Sequence, residues 1–480
     1  MNKAGIAAVA LVAVAAAGSA GAWYTGTQLE GVLQKNIDEA NAELRTNYPG
    51  SDLAVELVNF ERGIFSSQAR YRAVLAEANE HTVEETIEIF FANEIQHGPV
   101  PLSRLVRFKW LPVMAVMDTQ LESSEMLEGL FTASGGKSPM TAVTTLGYGK
   151  GVYGKFNVAP LKWSEPEYFS ASFSGLSGDF ETDRAGDLMI VDGRVDSVEV
   201  NFGPEVEELR AMNLVGWDMS VNRKRDASTG LYLGTSRAEV DQFSVVMEDL
   251  STLVFNDMVQ SDLISLESDG VSLALKYRLG AINYGAEKLG SMDLDFSMSR
   301  VNPQAIVELG RLYNGLMLSF GEGFPEQAKF DELNEALDRL LEDGPKMTLN
   351  NFVLKTANGE SRLNLGVGLG QLDGSIATFS EADLEDLIQT LDANLVLSKT
   401  MIRDVIGYRA LFDPSVDKSI VEQEAEMAAE MIAAMAEMFQ LGRVEGDNII
   451  SQLSYANGAV TFNGQAMELE ELMGLMAGMQ

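Results

Sequence analysis

Two histidines, His81 and His97, are the chain's whole supply of imidazole, and cysteine is absent. A Cys/His zinc cluster and a thiolate nucleophile are thereby excluded. His97 lies in Ile95-Gln96-His97-Gly98-Pro99-Val100-Pro101, where glycine and two prolines predict a rigid turn rather than a catalytic loop. Asp293 and Asp295 alternate with Met292, Leu294, Phe296 and Met298, so they share one face of a strand. Such a pair can serve as acid and base or hold a hard cation, but a solvated outer face explains the alternation without either. Gly149-Lys150-Gly151-Val152-Tyr153-Gly154 spells G-x-G-x-x-G, yet Phe156, Val158 and Pro160 predict a strand where a phosphate site needs a helix amino terminus. Gly175-Leu176-Ser177-Gly178 is too short for a nucleophile elbow. No catalytic residue, cofactor or metal ligand is assigned on these grounds.

One composition stands out. Met427, Met431, Met435 and Met438 recur every three or four residues on a predicted helix, and Met467, Met473, Met476 and Met479 echo them near the terminus. A flexible, polarizable stripe of this kind suits an apolar groove, a soft metal or a dimer surface, while its commoner role is to fill a core or a dimer seam.

The elements that must carry these residues read as α+β. From Asp52 to about Val301 the pattern is a long antiparallel meander of hairpins, curved rather than flat. Leu53, Val55 and Leu57 turn at Glu61-Arg62-Gly63 into Phe65, Ala69 and Tyr71; Phe169, Ala171 and Phe173 alternate with serines; Asp192-Gly193 and Asp269-Gly270 read as hairpin turns. Amphipathic helices are predicted around Ile306–Leu316 and Phe330–Leu341, and a capping box at Ser380 and Asp383 predicts another reaching Leu391. The expected organisation is a membrane anchor over 1–29, a juxtamembrane helix over 30–50, a β-rich domain over 51–301, and a mixed α+β region with Met-rich helices over 302–480.

The anchor rests on an uncharged, mostly apolar run from Ala4 to Leu29 preceded by Lys3. Its core, Ala4 to Tyr24, matches the roughly 20 residues a helix needs to cross a bilayer. Trp23 and Tyr24 fall where interfacial aromatics belong, and Leu29, Val32, Leu33, Ile37, Ala40 and Leu44 continue a helical stripe beyond them. The positive end is expected to stay cytoplasmic, sending the bulk outward. Small-residue sites around Gly18–Ala22 leave a cleaved, soluble form as the alternative. A formal charge of −36 makes nucleic acid a poor partner.

Gly21-Ala22-Trp23-Tyr24-Thr25-Gly26, the hairpin Asn59-Phe60-Glu61-Arg62-Gly63-Ile64-Phe65-Ser66-Ser67, the turn His97-Gly98-Pro99-Val100-Pro101-Leu102 and Phe462-Asn463-Gly464 together resemble the YdgA-like family. That resemblance implies a single-pass protein of the bacterial inner membrane with a large periplasmic domain, and it supplies no catalytic residues. Its motif residues Arg62, Gly63, His97, Gly98 and Pro99 read as turns, Gly63 in a left-handed position; a small polar site arises only if Arg62 and His97 meet in space. The leading expectation is a membrane-anchored periplasmic binding or scaffold protein, its curved sheet offering an apolar concavity to a lipid or apolar ligand. A homodimeric envelope protein without a ligand is the second reading, and a periplasmic hydrolase using His97 or the Asp293/Asp295 pair the third.

Overall fold

The computed structural model describes residues 25–42, 44–46, 54–76, 86–149, 151–165, 167–206, 208–318, 327–371, 374–378, 387–413, 415–456, 458–468 and 471. The apolar run up to Tyr24, His81, the capping box at Ser380 and the last three methionines lie outside them. Among the described residues, no helix is long and apolar enough to cross a membrane.

Among the described residues twenty-two strands form one sheet, and every pairing in it is antiparallel. The first block is β1 (Ala54–Arg62), β2 (Ser66–Ala76), β3 (Thr86–His97), β4 (Ala115–Leu121), β5 (Met140–Leu146), β6 (Gly151–Val158) and β7 (Leu161–Glu165), followed by β8 (Phe169–Phe173) and β9 (Leu176–Asp183). Six long strands come next: β10 (Leu188–Phe202), β11 (Leu209–Arg225), β12 (Tyr232–Met247), β13 (Thr252–Glu267), β14 (Gly270–Tyr284) and β15 (Glu287–Val301). The last block is β16 (Lys346–Lys355), β17 (Glu360–Leu369), β18 (Ile388–Ser398), β19 (Arg443–Glu445), β20 (Asn448–Ala456), β21 (Ala459–Phe462) and β22 (Gln465–Met467). Neighbours in space are almost always neighbours in sequence, since hairpin turns fix both register and order. β15 pairs with β16, so the sheet runs on past residue 301.

Helices cover its ends. The helix over residues 25–42 lies on the first strands, where Leu29 and Leu33 pack with Ala69, Ile95, Met114, Ala115 and Leu146. Helices Pro303–Leu318 and Gln327–Glu342 fill the β15–β16 connection, while Lys399–Gly407, Arg409–Phe412 and Lys418–Met438 follow β18.

Several expectations need correction. Asp192-Gly193 is no turn: both residues lie inside β10, where Gly193 faces Gly178 and Met219. A Cβ on Gly193 would lie 3.1 Å from Met219, whereas Gly178 and Gly154 admit aromatic rings, a Cβ there coming within 2.4 Å of Phe156 and 2.8 Å of Phe180 respectively. Ile388 and Leu391 belong to β18 rather than to a helix, their ladder with β17 overriding the helical spacing.

A transverse seam kinks the long strands. Gly175, Gly216 and Asp257 have positive φ in mid-sheet. Apolar positions step by three there, from Val195 to Val198, Trp217 to Leu214, Val240 to Phe243 and Met258 to Phe255. A bulge-like residue inside a strand shifts the alternation by one, so this spacing matches the kink.

Candidate functional site

The motif residues gather at one end of β1–β5, where the first helix begins. His97 is buried, its Nε2 2.8 Å from Ser67 Oγ and its Nδ1 3.2 Å from the Ile64 carbonyl oxygen. Gly26 of the helix lies against the imidazole, so that a Cβ there would sit 2.5 Å from Cε1. Thr25 Oγ1 is 3.2 Å from the Tyr148 hydroxyl in the β5–β6 turn. His97 therefore works as a structural wedge that receives the helix. Arg62 is exposed at the end of β1 and pairs in the ladder with Ser67, whose hydroxyl meets the buried His97.

Gly63 is required for a reason other than the expected one. It has no positive φ; its amide donates to the Ser66 carbonyl at 2.8 Å, and a Cβ would lie 2.6 Å from that oxygen. At Gly98, which precedes Pro99, the constraint is tighter, because a Cβ would fall 1.8 Å from the Val113 carbonyl oxygen.

The Asp293/Asp295 pair is engaged in cross-strand charge pairs, Asp293 with Arg278 at 3.6 Å and Asp295 with Lys276 at 3.0 Å. These residues sit on β15, while His97 ends β3. Nothing in this placement brings the two into one cleft. Two open grooves lie on the hydrophilic face. One, about 540 Å³, is lined by Lys155, Asp179, Asp192, Arg194, Asp218 and Glu239; the other, about 570 Å³, by Thr348, Asn350, Asn364, Asp392, Asn394 and Gln452. Three of the four acids of the first form ion pairs, Asp179 with Lys155 at 2.7 Å, Asp218 with Arg194 and Glu239 with Arg237. Polar side chains thus rim both concavities, although apolar atoms make up the larger part of their lining.

The opposite face carries the apolar residues, and the register traces it across the sheet. Ala115 pairs with Leu146 and Leu146 with Val152. Further along that face, Val158 meets Leu176, then Val195, Trp217, Val240, Met258, Leu279, Met292 and Leu354 follow strand by strand. Parallel to this row run Phe296, Leu349, Leu365, Ala393, Leu453 and Phe462. At about 4.8 Å per strand the band from β9 to β21 spans roughly 50 Å. Buried apolar clusters among the described residues lie only at the sheet's two ends, under the first helix and around Tyr455, Val460 and Phe462. Between them Met258, Leu279, Met292, Leu294, Phe296, Leu349 and Leu365 are half-buried: side chains shelter one another, and no second layer closes over them among the described residues.

The methionine helix turns its small residues inward. Val421, Ala425, Ala429 and Ala433 are buried, whereas Met427, Met431, Met435 and Met438 are exposed. The stripe accordingly does not fill a core within the chain. Asp417 caps the helix, its carboxylate accepting the Ser419 amide, and in mid-helix Glu430 receives Lys399 Nζ at 3.0 Å and Arg403 at 3.2 Å. Hydrogen bonds from Ser419 and from Lys399 respectively hold both carboxyls below the usual range.

Sequence reasoning passed over one feature. Residues 95–117 contain no carboxylate, although the chain has 71, and they include Arg104, Arg107 and Lys109. That charge gap was readable.

The fold and site define a large, β-rich antiparallel sheet whose first helix is wedged against one end. The model of a bacterial protein family of unknown function, DUF945, matches residues 1–470, and the chain belongs to that family. It is 27% identical to protein YdgA of Escherichia coli over 99% of this chain and 97% of that protein, and 23% identical to the uncharacterized protein YihF of the same organism over 96% of each. An uncharacterized Haemophilus influenzae protein is 21% identical over 64% of this chain and 85% of its own length. No solved structure matches.

Proposed function

We propose that this chain is a membrane-anchored binding protein of the bacterial cell envelope, its bulk periplasmic, which lays lipid acyl chains along the apolar face of its sheet. The observation that carries this reading is the half-buried apolar band from β11 to β20, left without a covering layer among the described residues. A monomeric protein rarely leaves so long an apolar surface open unless something apolar occupies it. The grooves on the other face are rimmed by charge pairs and amides, which suits solvent rather than hydrocarbon. The anchor reading is supported by the apolar run Ala4–Leu29 and by the helix that follows it from residue 25.

The second reading is a homodimer in which another copy covers the band; the exposed Met427, Met431, Met435 and Met438 favour it. Native mass spectrometry after extraction in a mild detergent separates the two. Co-purifying phospholipid on a single chain is the expected result, and an empty dimer contradicts it.

A further inference from the structure

We infer that the segment Pro101–Pro112 is a second membrane contact, a docking surface that lies flat on the anionic lipid surface beside the anchor and fixes the sheet's orientation over the bilayer. The inference rests on the anchor reading above. Four observations converge on it.

Leu102, Val106, Phe108, Trp110 and Leu111 are each 66–80% exposed, a concentration of large apolar side chains at one spot. Leu102 and Val106 share a face of the short helix Leu102–Val106. Ile64 and Phe65 in the β1–β2 turn and Tyr148 in the β5–β6 turn are exposed at the same end of the sheet.

The segment is held in place rather than loose. Arg104 is buried beneath it, donating to the Leu111 carbonyl at 3.2 Å and to the Tyr153 hydroxyl at 3.3 Å, and the Lys109 amide donates to the Arg104 carbonyl at 2.9 Å. Phe108 is kept at a φ of 56°, a conformation that an unconstrained phenylalanine avoids. The protein thus maintains an apolar face toward the outside.

Charge matches an anionic lipid surface. Arg107 and Lys109 are exposed and form no ion pair among the described residues, within a 95–117 stretch free of carboxylates in a chain of net charge −36. Exposed apolar residues with a tryptophan and interleaved cations are the composition of interfacial segments.

Position is the fourth. The apolar run Ala4–Tyr24 leads directly into Thr25 and Gly26, which touch Tyr148 and His97, and His97 opens the connection that carries the segment. A helix leaving the bilayer at residue 25 brings this end of the sheet to the membrane and points the far end away.

The chain has no cysteine, so single cysteines report position cleanly. Full-length Trp110→Cys and, as a distant exposed reference, Tyr168→Cys are labelled with a fluorophore and reconstituted in phosphatidylethanolamine/phosphatidylglycerol vesicles, with flotation and quenching by nitroxide-bearing lipids measured on one sample. The expected result is flotation of both, with lipid quenching at 110 and none at 168. Arg107→Glu and Lys109→Glu each lower the docked-to-undocked ratio by about fivefold in anionic vesicles, and neither does in zwitterionic ones. Flotation with an unquenched probe at 110 overturns the docking and leaves the anchor standing. Failure to float overturns both. Disulfide-linked dimers of the unlabelled Trp110→Cys variant, without quenching in the labelled one, overturn it in favour of a second copy on this surface.

Discussion

Two glycines on the first helix carry opposite predictions. Gly26 packs on the buried ring of His97, and a Cβ there would lie 2.5 Å from Cε1 and 2.7 Å from Nδ1, against a carbon–carbon optimum of about 3.5–4.0 Å. The ring cannot retreat, being pinned by Ser67 and Ile64. Gly26→Leu must therefore lift the helix. Overpacking alone costs about 1–3 kcal/mol. Full undocking exposes Leu29 and Leu33, about 3–6 kcal/mol by area. We take about 3 kcal/mol, a local opening equilibrium shifted roughly a hundredfold. Gly31 has nothing within 4 Å of its Cβ position, so Gly31→Ala gains helix propensity, about 1 kcal/mol or roughly fivefold. Hydrogen exchange of the peptide covering residues 27–42, read by mass spectrometry on the full-length protein in detergent, measures both. Faster exchange in the first variant and slower in the second is expected. Equal behaviour of the two refutes the packing of the helix on His97.

Tyr71 is packed against the core beneath that helix, and its buried hydroxyl has no hydrogen-bond partner among the described residues. Burial pushes its pKa up to about 12, so folding favours the neutral phenol; stability is complete below pH 10 and falls between pH 10 and about 12 as the unfolded state ionises first. Tyr71→Phe should remove that alkaline loss and add about 1 kcal/mol at pH 7, as urea midpoints across pH will show. The carboxyl of Glu430 is held low by Lys399 and Arg403, so its contribution is present above the ordinary carboxylate range and lost as pH falls through the depressed value. Hydrogen exchange in helix Lys418–Met438 should accelerate below about pH 4; in Glu430→Gln the pH 7 rate should already be raised and its acid dependence reduced. Gly98→Ala forces a Cβ onto the Val113 carbonyl and should cost about 3 kcal/mol or more, measured as lost resistance to proteolysis between β3 and β4.

Alternation made most of the meander legible, because a strand with one apolar face announces both its length and its partner face. β8 and β15 follow directly from the pattern. Asp192-Gly193 misled because a glycine packed in mid-strand against Met219 and Leu176 looks, in one dimension, like a glycine that permits a turn. Helices Lys399–Gly407 and Arg409–Phe412 went unanticipated: only Lys399 and Met401 of the first are buried, and the second is a single turn, so neither offers much periodicity. Gly26 against His97 is a contact between distant parts of the chain, and no local spacing encodes it. At the candidate site, exposure of the methionine stripe was hidden because the alanines on the same helix provide an equally good buried face. The open apolar band was half-visible: alternation gave the two faces, and only the register revealed that no other described element covers the dry one.

Lipid on that band is what the proposed function stands or falls on. A photo-crosslinking residue at Phe296, on the apolar face, and another at Asp295, on the hydrophilic face of the same strand, report on it in intact cells. Adducts carrying phospholipid at 296 and none at 295 are the predicted outcome. Crosslinks at 296 that yield only a second copy of the chain, or equal lipid labelling at both positions, contradict it.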